Sequence, residues 1–247
     1  MKKTFYIGEI ADFFQIPAST LRFWESKGLF TPQKKSGSQY REYTLPDLMK
    51  ISDIIFYKNL GIPLKNINEL KQKSILEQTD FCFQHLEQLH QQQKFMDRQI
   101  QRLNQHQQAL SAIKHLEERP FEYEEIDTDC IVTFELTEIE KLKMYIDNPY
   151  LYSRVQHSDS PLEEYRGITV PAHLAVQEQI LWKKTSHKYL VCLMKEEIAE
   201  NYPNNLSSIL AEVHKTCSTG YIISRFLATA CESGKIYDFY KTYIEIL

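Results

Sequence analysis

The chain changes its rhythm of apolar and polar residues twice, and each change marks a zone. Near the N-terminus, Ile7, Ile10, Ala11 and Phe14 fall at i, i+3, i+4 and i+7, the spacing of an amphipathic helix. A second short helix follows, for which Pro17 suits the first turn and Gly28 the left-handed stop. The segment KKSGSQYREY, residues 34–43, sets Gly and Ser between strand-forming flanks and reads as a hairpin. TLPD is a capping box in which Thr44 accepts from the Asp47 amide and Asp47 reaches back. It predicts a helix to about Asn59, closed by Gly61 and Pro63, and LKNINELKQ predicts a shorter one.

Residues 79–118 contain neither Pro nor Gly and are rich in Gln. Cys82, Leu86, Leu89, Gln93, Met96, Ile100, Leu103, Gln107 and Leu110 alternate spacings of four and three, the seam of a coiled coil. Over roughly 39 residues such a rod is about 58 Å long and cannot bury its seam alone. It packs on its own body or, as we expect, on a second copy. Gln93 and Gln107 would cost stability there and could fix register.

From Pro120 onward the pattern alternates between strand and helix. DCIVTFEL reads as strand, TEIEKLKMYI as helix, and YLYSRVQ and YRGITV as strands. KYLVCLMK, NLSSILAEVHKTC, GYIISRFLATAC and KIYDFYKTYIEIL then repeat strand, helix, strand, strand, with an ESGK turn before the last. We expect a duplicated β-α-β-β unit, although no residue-level repeat supports it. The resulting division is 1–75, 76–119 and 120–247.

Composition narrows the picture. The 247 residues are 43% hydrophobic and 25% charged, ordinary for a globular chain. The N-terminus lacks an apolar segment of signal-peptide length and no run of 18 apolar residues exists, so a cytoplasmic protein is expected. Five scattered cysteines argue for thiols rather than a disulfide framework. The net charge of −4 hides an asymmetry. Residues 1–75 hold 12 Lys+Arg against 7 Asp+Glu, whereas 76–247 hold 17 against 26. A basic head on an acidic body suggests a polyanionic partner for the head alone.

The second helix, in STLRFWESKGLFTP, carries Arg22, Phe23 and Trp24 side by side. Successive helical residues point about 100° apart, so the three cannot share one core. In a helix–turn–helix the second helix enters the major groove. Ser19, Thr20 and Arg22 would offer donors to bases or phosphates, and an adjacent aromatic would pack on sugar or a thymine methyl. Phe23 is expected to face the groove and Trp24 to be shared between groove and core. The hairpin would be a wing, with Lys34, Lys35, Tyr40 and Arg41 gripping phosphates.

In order and spacing, residues 4–72 resemble the head of MerR-type transcription regulators. The matching motifs are Ile7–Ala11, Thr20–Glu25, Gly28–Leu29 with Pro32, Tyr40–Tyr43 and Leu60–Gly61. The resemblance places DNA contacts on Arg22, Phe23, Trp24, Tyr40 and Arg41, with Lys58 approaching phosphate. Phe23 and Trp24 stand where the family usually has tyrosines, Pro17 replaces a usual Ser cap, and Tyr6 stands where a small hydroxyl residue often caps the first helix. It also implies an antiparallel homodimer through the long helix, bound to double-stranded promoter DNA with an over-long spacer. Effector binding would bend and untwist that spacer for RNA polymerase.

The third zone more faintly resembles the GyrI-like effector domain of the multidrug-sensing branch, which takes small organic ligands in a cleft between its halves. Tyr152, Trp182, Tyr221, Tyr240 and Tyr243 are candidate ligand contacts; Arg225, if inward, would disfavour cations. The expected fold is therefore α+β: a winged helix–turn–helix, a long antiparallel coiled-coil helix with Leu86, Leu89, Met96, Ile100, Leu103 and Leu110 at the dimer seam, and a duplicated β-α-β-β effector domain.

Three rivals compete with this reading. A metal sensor would use Cys82 with His85 one turn on, but a soft site needs three or four convergent ligands. A small-molecule-degrading enzyme would need a nucleophile–base pair or a metal or phosphate motif, and His157, His173, His187 and His214 stand isolated. The third is a constitutive DNA-binding protein with a degenerate tail. No cofactor is expected.

Overall fold

The computed structural model describes residues 4–34, 41–175 and 178–247. They form two compact units, Met1–Gln92 and Gln93–Leu247, and the helix α5 (Ile75–Glu118) contributes to both. This helix begins seven residues before the first seam position, Cys82. Ser74 provides the start, its amide donating to Glu77 at 2.8 Å.

The first unit packs α1 (Ile7–Phe14), α2 (Ala18–Ser26), α3 (Leu45–Asn59) and α4 (Leu64–Lys71) around one apolar core. Between α2 and α3, β1 (Gln33–Lys34) pairs antiparallel with β2 (Arg41–Glu42), the base of the expected hairpin. Despite the unusual Tyr6, α1 has a cap, because Glu9 accepts the Tyr6 amide at 2.8 Å. The Thr44 amide likewise donates to Asp47 at 2.8 Å. Gly28 and Gly61 have φ of 71° and 80°, values that favour glycine and that end α2 and α3 where the sequence predicts. Ile10, Leu21, Trp24, Tyr43, Ile51, Ile54 and Ile67 fill the core.

The second unit is built on an eight-stranded antiparallel sheet. In chain order its elements are β3 (Glu122–Glu124), β4 (Cys130–Thr133), α6 (Ile139–Asp147), β5 (Tyr152–His157), β6 (Ser160–Val170), β7 (Ile180–Lys183), β8 (Lys188–Glu197), α7 (Leu206–Val213), β9 (Thr219–Glu232) and β10 (Lys235–Ile246). In space the strands run β3-β8-β10-β9-β5-β6-β4-β7. The arrangement has the expected internal repeat. In each half the first strand pairs with the last, the last pairs with the middle one, and the two middle strands, β5 and β9, pair with each other. Ser233 and Gly234, both at positive φ, make the tight turn between β9 and β10.

The sequence pattern did not reveal β3 or β7. Both are short and lie at or near the sheet's edges, where a polar or exposed face leaves little apolar alternation to read.

Side-chain alternation gives the sheet two buried faces. On one lie α6 and α7, over Cys130, Val132 and Ile168 in the first half and Cys192, Met194 and Ile222 in the second. On the other, Ala109 and Leu116 of α5 pack with Val155, Val191, Ile223 and Phe239. The C-terminal part of the long helix thus packs on its own body. The seam residues Leu86, Leu89, Met96, Ile100, Leu103 and Leu110 remain 41–69% exposed in the single chain. Among the described residues no helix is long and apolar enough to cross a membrane.

Candidate nucleic-acid interface and ligand cleft

The phase of α2 is set by Leu21 and Trp24, one turn apart and both inward. Trp24 is 2% exposed, so it belongs to the core and is not shared with a groove. That burial turns Ser19, Arg22 and Phe23 outward, with Phe23 48% exposed and Thr20 half-buried. Lys27 lies 5.5 Å from the Phe23 ring centroid and Lys58 lies 5.6 Å from that of Trp24. The outward face of α2 is therefore one guanidinium and one aromatic with the Lys27 cation beside it, a surface suited to phosphates and base edges.

Arg41 is less free than the sequence implied. Its Nε donates to both Glu25 carboxylate oxygens, at 3.0 and 2.8 Å, tying β2 to α2. The pair is partly exposed, and its main effect is to fix the hairpin's base. Lys35 and Tyr40 lie outside the described residues.

In the second unit, the face carrying α6 and α7 holds a cleft of about 780 Å³. That volume falls in the range of small-molecule sites. Of the six candidate ligand residues, only Tyr152 and Tyr240 line it. Trp182 and Tyr243 are core residues of the opposite face, since neighbouring strand positions alternate. Tyr221 is exposed and packs edge-on against His157. Arg225 lines a smaller hollow of about 350 Å³ with Tyr150, Tyr243 and residues of α5. There Asp127 neutralises it, and it is neither an unpaired inward charge nor a solvated one.

The floor of the larger cleft joins Tyr240 to two residues that the sequence did not single out, Arg154 and Glu196. Arg154 of β5 donates through Nη1 and Nη2 to the two carboxylate oxygens of Glu196 on β8, both at 2.6 Å. Nη2 also donates to the Tyr240 hydroxyl at 2.7 Å, and the guanidinium carbon lies 4.4 Å from the Tyr240 ring centroid. Glu164 approaches Nη1 at 3.3 Å. The Arg154 and Glu196 side chains are only 8% and 6% exposed.

Geometry explains the reach. Directly across the ladder from Arg154 is Ser224 of β9, small enough for the guanidinium to pass over it to β10 and β8. Burial alone would lower the Arg154 pKa, but the bonds to Glu196 and nearby acids outweigh it and keep the charge. Burial also pushes the Tyr240 hydroxyl far above its usual range, so it stays protonated. The sequence carried no clear signal for the pair, since β5 reads YSRVQH and Glu196 lies in the Lys-Glu-Glu run that ends β8; only the strand faces bring the two together.

Cys82 is exposed, and His85 is engaged elsewhere: its Nε2 lies 2.9 Å from the Leu60 carbonyl and its ring stacks on Phe81. No three His, Cys, Asp or Glu side chains converge as a metal site among the described residues.

Comparison with known proteins agrees on the head. Residues 5–74 match the family model described as MerR HTH family regulatory protein. The HTH-type transcriptional activator TipA of Streptomyces coelicolor is 31% identical over 67 residues, 27% of this chain and 26% of that protein. The multidrug-efflux transporter 2 regulator of Bacillus subtilis is 34% identical over 67 residues, 27% of this chain and 24% of that protein. The match thus spans about a quarter of each relative's length. A cryo-EM structure of the EcmrR–DNA complex aligns with 98% of this chain and 100% of its own, at 15% identity and a TM-score of 0.38.

Proposed function

We infer, on the premise that residues 5–74 are a MerR-family helix–turn–helix head, that this chain is a ligand-responsive, dimeric transcription regulator. The observation that carries the reading is a coincidence of place: the family match and the exposed Arg22–Phe23 face of α2 fall on the same residues. Ser19, Thr20, Arg22 and Phe23 would contact promoter DNA, with Lys34, Lys35, Tyr40, Arg41 and Lys58 on backbone phosphates.

The exposed apolar seam from Leu86 to Leu110 would pair antiparallel with a second copy, giving two heads for a two-fold operator. Bending and untwisting of an over-long promoter spacer would then realign it for RNA polymerase. A GyrI-like tail, residues 120–247, would hold a small organic effector in the cleft floored by Arg154, Glu196 and Tyr240. The names of relatives that are activators and efflux regulators favour that choice. This is a binding function, with no reaction assigned.

Selection from random duplexes with the full chain tests the head. Enrichment of an inverted repeat, lost on Arg22→Ala, is expected, and no enrichment would reject the reading. Sedimentation should give twice the 29.2 kDa chain mass.

A further inference from the structure

We propose that Arg154 acts as a built-in cation that already occupies the anionic floor of the cleft, so that the effector is an uncharged organic molecule rather than a cationic one. The proposal rests on the ligand-cleft reading above and specifies its chemistry.

A buried carboxylate beside an aromatic face is a receptor for a flat cation, since the acid supplies charge and the ring its negative face. Glu196 and Tyr240 form such a pair, and the flat cation is present as the protein's own guanidinium. It is bonded to both carboxylate oxygens and to the Tyr240 hydroxyl, and its carbon lies 4.4 Å from the ring centroid. An incoming cation would have to displace Arg154, leaving a guanidinium without its acid in a site with 8% exposure.

Anions meet a different obstacle. Apart from the Arg154–Glu196 pair, the charged lining is Glu135, Glu164 and Asp238 against Arg166 alone, an acidic rim. Of these acids, Glu164 is already approached by Arg154 at 3.3 Å and Asp238 accepts from the Thr229 hydroxyl, so at the floor the remaining attraction is apolar, from Phe134, Tyr145 and Phe226. Among the described residues the buried Arg154 Nε has no partner, and it offers one further donor to a neutral acceptor.

The test uses the full chain and two planar dyes of one scaffold and similar size, neutral Nile red and cationic Nile blue, followed by fluorescence anisotropy. Thr229→Trp, at the exposed part of the lining, serves to block the cleft. Wild type should bind Nile red about tenfold or more tighter than Nile blue, in a manner abolished by Thr229→Trp. Arg154→Met should reverse the preference, and adding Glu196→Gln should remove the gained cation binding.

Nile blue binding to wild type as tightly as Nile red, and blocked by Thr229→Trp, would overturn the proposal while leaving the cleft a ligand site. Binding of neither dye, or Nile red binding indifferent to Thr229→Trp, would reject the cleft and the proposal together. The wild-type comparison stands even if Arg154→Met fails to fold. If that variant folds, as judged by circular dichroism, and gains no cation binding, Arg154 is not the cause.

Discussion

The two units put their charged groups to opposite use. In the head, an apolar core fixes the phase of α2, and the candidate contacts, Arg22 and Phe23, project outward from it. In the tail the key charges are inside: Arg154 and Glu196 satisfy each other under a cleft, on strands that packing holds together. The head can therefore lose a contact and keep its fold. The tail cannot lose either member of its pair without burying an unmatched charge.

Each unit contains one tryptophan, Trp24 in the head and Trp182 in the tail, so the contrast can be measured unit by unit. In a Trp24→Phe background, Glu196→Ala should cost the tail about 3–5 kcal/mol by urea unfolding followed by Trp182. Much of that loss should return when Arg154→Met is added. A loss below 1 kcal/mol would mean that the pair is effectively solvated. Arg22→Ala should instead weaken binding of a selected duplex by about 1–3 kcal/mol with an unchanged head transition. A drop in head stability would show that Arg22 is structural and erase the contrast.

Asp47→Ala removes the acceptor for the Thr44 amide at the start of α3 and should cost the head about 1 kcal/mol, read by Trp24 fluorescence in a Trp182→Phe background. The tail should not respond. The smallest signal is a pH slope in the tail at Glu245. Burial would raise its pKa, but donation from the Tyr221 amide, with His187 and Thr185, holds it below the usual carboxylate range. Its stabilisation is thus present above the unfolded value of about 4.3 and is lost as pH falls through the folded one. Glu245→Gln should flatten that acid loss, and an unchanged slope would assign it to other carboxylates.

The same contrast explains what could be read in advance. Gly28, Gly61 and the Thr44–Asp47 box are local signals, so α2 and α3 ended and began where expected. Arg22 and Phe23 stood out because three bulky residues in one helical run cannot all be core. Trp24 could not be assigned by that argument, since its burial depends on where Ile51 and Ile54 of α3 lie. In the tail, strand identities followed from alternation, but Trp182, Tyr221 and Tyr243 were chosen as aromatics without knowledge of strand neighbours or faces.

Local signals suffice for the short helices of the head, the continuous long helix and the repeated order of strand, helix, strand, strand. Those depend on turns, caps and periodicities within a few residues. They do not reach the meeting of Arg154 with Glu196, 42 positions away, and with Tyr240, 86 positions away. That meeting requires β5, β9, β10 and β8 to lie side by side with one chosen face toward the cleft, an outcome of long-range pairing that no local pattern encodes.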